Sequence, residues 1–256
     1  MTRIAIIDRA DPPTGPSSPN LTKNLAYALL VGLGIAAVTT FLRSQFDDTV
    51  RVPEDVEHKL ELPLLGVIPR AHRASIDDEL ADPKSPVSEG YNSLRGALLY
   101  STSHGLPKSL LITSSQPSEG KSTTGMAIAT GIARLGRSVV LLDVDLRRPA
   151  LHRFLSGAAA ENNEGVSSLL TSQSSIDQVL RDTEVETLKI ITSGPIPPSP
   201  TELLSSNRMH MLLDELSARF DLVIVDSPPV LGLADAPLMA ALVEGVVLVV
   251  QSDRSR

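Results

Sequence analysis

From Leu25 to Leu42 the chain runs through 18 residues, LAYALLVGLGIAAVTTFL, without a charge. As a helix this run would extend about 27 Å at 1.5 Å per residue, against a bilayer core of roughly 30 Å. A secretory signal peptide fits poorly, because the run starts after 24 residues that include Asp8 and Asp11, and no small-residue cleavage pattern follows. A buried helix of a soluble domain competes, since this length is the lower edge of the membrane range. The pattern predicts one transmembrane helix over 25–42. Ala28, Gly32, Ala36 and Thr40 recur every four residues along it. They form a face that a second helix could approach closely, or they reflect how common small residues are in membrane helices. Lys23 on one side against Arg43 and Arg51 on the other puts the C-terminal side in the cytoplasm.

The flanks differ. Residues 1–24 hold few core formers beyond Ile7 and carry Pro12, Pro13, Pro16 and Pro19, which favour an extended or turning segment. This makes 1–24 a proline-rich periplasmic segment. Residues 43–85 are charged except for Leu62–Pro69 (LPLLGVIP) and read as a cytoplasmic juxtamembrane linker, with a short helix around 53–60 and then a strand-like tether. From residue 86 the texture changes. SLLITSS (109–115) leads through a glycine-lysine turn into a helical run at 121–135. SVVLLD (138–143), LKIITSG (188–194), a helix near 201–218, DLVIVD (221–226) and GVVLVV (245–250) follow. Short, wholly apolar strands separated by helices predict an α/β domain over 86–256, a parallel sheet covered on both faces.

Composition narrows the function. The 256 residues hold 23 Lys+Arg against 30 Asp+Glu, a formal charge of −7, which opposes nucleic-acid binding. The absence of Cys removes disulfides, thiolate metal sites and thiol nucleophiles. The five His show no zinc-ligand spacing.

The candidate chemistry begins at Ser115-Gln116-Pro117-Ser118-Glu119-Gly120-Lys121-Ser122, between the first strand and its helix. It matches the P-loop pattern G-x-x-x-x-G-K-[ST], except that Ser115 replaces the first Gly. Backbone N–H groups and the helix N-terminus would cradle phosphates, Lys121 would add a point charge, and the Ser122 hydroxyl could ligate Mg²⁺. Asp143-Val144-Asp145-Leu146-Arg147 ends the next strand, and its two carboxylates share a face because residues i and i+2 of an extended chain do. They emerge at the strand's C-terminal edge, where open α/β sheets bind ligands. Asp226 closes a third apolar strand, VIVDSPP, a Walker B-like element. A single Asp after a strand is ordinarily a turn residue. Three together beside a P-loop point to a Mg²⁺–nucleoside triphosphate site. Arg147 either adds positive charge there or pairs with a neighbouring carboxylate.

Taken together, SSQPSEGKST, VVLLDVDLRRP, VIVDSPP, SGPIPPSPTELLSS (193–206), EGYNSLRGALLYS (89–101) and DDTVRVPEDVEHKLELPLLGVIP (47–69) resemble the bacterial tyrosine kinases (BY-kinases) associated with exopolysaccharide co-polymerases. The resemblance implies a P-loop NTPase fold and an ATP- and Mg²⁺-dependent protein-tyrosine kinase regulating polysaccharide chain length and export at the bacterial inner membrane. It implies that residues 115–123 bind the nucleotide, with Lys121 on the outer phosphates and Ser122 and Thr123 on Mg²⁺ and phosphate. Asp143 and Asp145 would share metal organisation and acceptance of the tyrosine proton, and Asp226 would hold Mg²⁺. The catalytic set is then Lys121, Asp143, Asp145 and Asp226, and the metal set Ser122, Asp143 and Asp226. Implied partners are the polysaccharide export and polymerisation machinery, a phosphotyrosine phosphatase and further copies of the chain.

Departures from the family pattern carry expectations too. Gln116 stands where the related partition ATPases carry a signature Lys, which favours the kinase branch. In the family's association motif E-x-x-R-x-x-R, Asn92 replaces the first Arg between Glu89 and Arg95, losing a bidentate donor and weakening self-association. The family continues beyond the strand at 245–250 into a tyrosine-rich tail, so the domain reads as truncated. Tyr27, Tyr91 and Tyr100 are the tyrosines present. Two alternatives remain: a membrane-associated partition-type ATPase switch without kinase activity, and an inactive regulatory fragment.

Overall fold

The computed structural model describes residues 18–45, 61–71, 76–102 and 105–252, with isolated positions at 15, 54, 56 and 57. Most of the proline-rich segment and of the helix expected over 53–60 therefore lies outside the described residues. The chain divides into two units, Met1–Asp48 and Thr49–Arg256.

The first unit contains α1 (Leu21–Gln45), longer than the uncharged run because the polar ends continue the helical turns. Its span Leu21–Arg43 has a mean hydropathy of 2.1 and is long and apolar enough to cross a membrane. The Thr39 and Thr40 hydroxyls donate to the carbonyls of Ile35 and Ala36, each at 2.8 Å, so neither hydroxyl needs water.

The second unit is built on a six-stranded sheet. In chain order the strands are β1 (Ser109–Ser114), β2 (Val139–Asp143), β3 (Arg181–Asp182), β4 (Leu188–Ile191), β5 (Leu222–Asp226) and β6 (Gly245–Val249), arranged β3-β4-β2-β5-β1-β6. All pairings are parallel except the two-residue edge strand β3, which lies antiparallel to β4. Every residue of β1, β2 and β5 is buried, as expected for strands covered on both faces. The alternation of side chains then sorts the core into two layers. Leu110, Ile112, Val139, Leu141, Leu222 and Ile224 pack on one side with Ile128 and Ile132 of α4 (Lys121–Ala133) and Leu94 and Leu98 of α3 (Pro86–Leu99). Leu111, Val140, Leu142, Val223 and Val225 pack on the other with Leu212, Leu213 and Leu216 of α8 (Asn207–Arg219) and Met239 of α9 (Asp235–Ala240).

Smaller helices complete the fold: α2 (Ile76–Ala81), α5 (Val166–Leu170), α6 (Ile176–Val179) and α7 (Pro200–Leu204). The single helix expected over 201–218 is two, α7 and α8, broken at Ser205–Ser206. Helix α4 stops at Ala133, shortly before Gly136 with φ +86°. The apolar tether is irregular in backbone, and its Leu65 and Ile68 pack against the α3–α4 layer.

Candidate functional site: a lysine among three carboxylates

The parallel register sets Asp143 beside Asp226 as Cα partners on neighbouring strands, at the C-terminal edges of β2 and β5. Asp145 follows two residues on. The loop from β1 into α4 crosses the same edge, with Gly120 in a left-handed conformation (φ 89°) as the α4 N-cap and Lys121 as the first helical residue. The structure thus brings together Lys121, Asp143, Asp145 and Asp226, which lie on three different elements.

Lys121 is 9% exposed. Its Nζ donates to Asp145 Oδ2 at 3.0 Å and lies 3.7 Å from Asp226 Oδ1. Burial pulls the ammonium pKa down, and the surrounding carboxylates of Asp226, Asp145 and Asp143 more than offset it, so the net shift is upward. Asp143 is fully buried; its Oδ2 accepts the N–H groups of Ala150 and Leu151, each at 2.9 Å, and its Oδ1 accepts that of Asp145 at 3.2 Å. Burial lifts its pKa to about 6 against the pull of those hydrogen bonds. Asp226 is fully buried; neither oxygen makes a hydrogen bond of close geometry, and Oδ1 faces the Lys121 ammonium at 3.7 Å. Burial pushes its pKa up to about 7, with Lys121 and the neighbouring Ser122 hydroxyl opposing the shift.

A buried carboxylate without a close hydrogen bond, beside a hydroxyl and in a cluster of three acids and one base, forms an environment that a hard cation with oxygen ligands would neutralise. Among the described residues no group of three or more His, Cys, Asp or Glu could hold a metal by itself.

The loop is held by its own side chains. Glu119, 8% exposed, accepts from the Ser115 hydroxyl through both oxygens (3.0 and 2.9 Å), from the Gln116 N–H at 2.8 Å and from the Gln251 N–H at 3.4 Å. Ser118, between these contacts, takes a left-handed φ of 67°. Pro117, Ser118 and Gly120 line the exposed outer turn, and Ser122 and Thr123 open α4 beneath it.

Arg147 turns away to pair with a carboxylate. Its Nε donates to Asp235 Oδ2 at 2.7 Å and its Nη2 to Thr201 Oγ1 at 2.9 Å, while Thr201 donates to Asp235 at 2.6 Å. Burial raises the Asp235 pKa, and the bonds from Arg147 and Thr201 bring it below the ordinary value on balance. Sequence reasoning missed Asp235 and Thr201. They lie 88 and 54 positions from Arg147, and no local pattern announces either. Arg95 donates to the Gly131 carbonyl of α4 at 3.3 Å. The Tyr91 hydroxyl lies 3.2 Å from Thr124 Oγ1, whereas Tyr100 is 86% exposed.

Comparisons with known proteins follow the same lines. The AAA domain family matches residues 110–254. The tyrosine-protein kinase YwqD of Bacillus subtilis is 40% identical over 176 residues, covering 69% of this chain and 73% of that protein. The tyrosine-protein kinase ptk of Acinetobacter johnsonii is 29% identical over 96% of this chain, which spans only 35% of that longer protein. Among solved structures, the chimerical protein CapA2B2 superposes with a TM-score of 0.71 at 37% identity, over 79% of this chain and 87% of that one. The kinase domain of the Escherichia coli tyrosine kinase ETK gives 0.69 at 30% identity, over 78% and 81%.

Proposed function

Because this chain belongs to the family of bacterial tyrosine-protein kinases, we propose that it transfers the γ-phosphoryl group of Mg²⁺-bound ATP to tyrosine hydroxyls of proteins. The observation that carries the reading is the Lys121–Asp143–Asp145–Asp226 cluster at the strand edges, with Lys121 between the Asp145 and Asp226 carboxylates.

In this reading residues 115–123 wrap the phosphates, and Lys121 leaves Asp145 for the outer phosphate oxygens. Ser122 and Asp226 would hold Mg²⁺, which would supply charge neutralisation for the transferring phosphoryl group. Asp145, released by Lys121, would help to organise the metal. Asp143 accepts the tyrosine proton. A carboxylate offers about four lone-pair positions, and three backbone N–H groups fill three of those on Asp143, leaving one in a fixed orientation. This favours proton acceptance over metal binding for Asp143. The tyrosine oxygen forms its bond to the γ-phosphorus as the bond to the β–γ bridging oxygen breaks, ADP leaves, and the phenolic proton passes to Asp143.

Helix α1 would anchor the chain in the bacterial inner membrane with the kinase domain in the cytoplasm. The substrate process would be control of polysaccharide chain length and export, with a phosphotyrosine phosphatase reversing the modification. Self-association through α3 would be weakened by Asn92, since Arg95 alone remains of the expected pair and already contacts Gly131.

The test is label transfer from γ-labelled ATP in Mg²⁺ buffer to a tyrosine-rich peptide, with phosphoamino-acid analysis, comparing the chain with Lys121→Ala. Labelled phosphotyrosine that disappears in the variant is expected. Free phosphate with no phosphotyrosine would replace the kinase reading with that of an ATPase switch.

A further inference from the structure

A carboxylate inside an anion-binding loop is an electrostatic liability, because it repels the phosphates that the loop exists to hold. Glu119 is such a group. It is buried in the phosphate loop and directed at the loop's own first residues, not at the Lys121 cluster. The Ser115 hydroxyl that meets both its oxygens belongs to the residue that replaces the first glycine of the P-loop pattern, and a glycine there would offer no side-chain donor. The left-handed turn at Ser118 lies immediately before it. Gln251, just past β6, adds a longer contact from outside the loop.

We infer that Glu119 is a positioning residue: its carboxylate braces the first half of the phosphate loop against the second and raises nucleotide affinity by geometry, despite its charge. Ser115 is its designated partner. The inference rests on the nucleotide-site reading above and assigns Glu119 no contact with the nucleotide. Hydrogen bonds to an ionised acceptor are the stronger kind, and a loop fixed before binding loses less freedom when the phosphates arrive.

The sign of the effect makes the test decisive. Binding of a fluorescent ATP analogue in Mg²⁺ buffer would be measured on the full chain in detergent, for wild type, Glu119→Ala, Glu119→Gln, Ser115→Ala and the double alanine variant. The brace predicts that Glu119→Ala weakens binding about tenfold, as loss of charge-assisted hydrogen bonds of this kind would. Glu119→Gln, which keeps one acceptor, recovers part of the loss. The double variant binds no more weakly than Glu119→Ala, because both changes remove the same contact. A carboxylate acting only through its charge would give tighter binding in both Glu119 variants, and that result, or unchanged affinity, overturns the brace. Thermal unfolding without nucleotide identifies a variant that fails to fold; the isosteric Glu119→Gln then carries the comparison alone. Wild-type binding lost in Lys121→Ala, with Glu119→Ala unaffected, defeats the brace and leaves the site reading intact. Wild type without affinity defeats both.

Discussion

Asp143 and Asp226 share a register position in the middle of the sheet, and each pays for that burial with a raised pKa, about 6 and about 7 against an ordinary 3.8. For catalysis, a base is competent only when deprotonated, so turnover should rise as pH climbs through about 6 and then level off. Asp143→Asn should lower kcat by roughly 10²- to 10⁴-fold while ATP affinity changes far less; a parallel collapse of binding would demote Asp143 to a loop anchor. For stability the sign is the reverse of the usual carboxylate case. As pH rises above about 4 the unfolded chain ionises first, and keeping Asp226 buried becomes steadily costlier until its folded pKa of about 7 is passed. The nucleotide-free domain should therefore lose thermal stability between about pH 4 and 7, and Asp226→Asn should flatten that slope. A third expectation concerns Ser118, whose side chain is exposed and whose φ is 67°. Left-handed backbone costs a non-glycine residue about 1–2 kcal/mol, partly offset by glycine's greater freedom when unfolded. Ser118→Gly should thus stabilise the domain by about 0.5–1 kcal/mol in urea unfolding. A loss instead would mean that the Ser118 side chain contributes more than its strain costs.

At the scale of elements, helix α5 docks its N-terminus on the residues that follow β4: Val166 and Ser167 donate to the Thr192 and Ser193 carbonyls at 2.8 and 2.9 Å. Gly165 makes that approach possible, since a Cβ there would stand 2.0 Å from the Thr192 carbonyl oxygen. Gly165→Ala must force two backbone segments apart and should cost more than about 2 kcal/mol by denaturant unfolding; a smaller loss would show that this docking yields easily. No sequence pattern announces this contact, and the contrast with the strands is instructive. β1, β2 and β5 are legible because a strand buried on both faces must be apolar throughout, and the turn residues around them are polar. β3 is illegible because two edge residues, Arg181 and Asp182, carry no periodicity. The break between α7 and α8 is hidden because no Gly or Pro punctuates residues 201–218. The site divides in the same way. Lys121 and the acids at strand ends can be read locally. The adjacency of Asp143 and Asp226 depends on strand order, and the Arg147–Asp235–Thr201 triangle depends on the loop after β2 meeting the first turns of α7 and α9.

For the whole molecule, the two units make separable demands. Within Thr49–Arg256 both faces of the sheet are covered by helices of the same unit. Helix α1 exposes Leu29, Leu33, Ile35 and Val38 along its length, with both threonine hydroxyls satisfied internally. A helix of 25 residues with that surface extends about 37 Å, enough to cross a hydrocarbon core with some tilt. Charge placed mid-helix should therefore abolish membrane retention and leave the domain alone. Each aspartate at the centre of a spanning helix costs about 2.5–3.5 kcal/mol on insertion scales, so Leu33→Asp with Ile35→Asp should cost about 5–7 kcal/mol. Fractionation of carbonate-washed membranes is expected to move the double variant into the soluble fraction, with ATP affinity within about twofold of wild type. Continued retention of the double variant would mean that some other part of the chain holds it at the membrane. Loss of ATP affinity along with retention would mean that α1 supports the nucleotide site, and that the two units act as one.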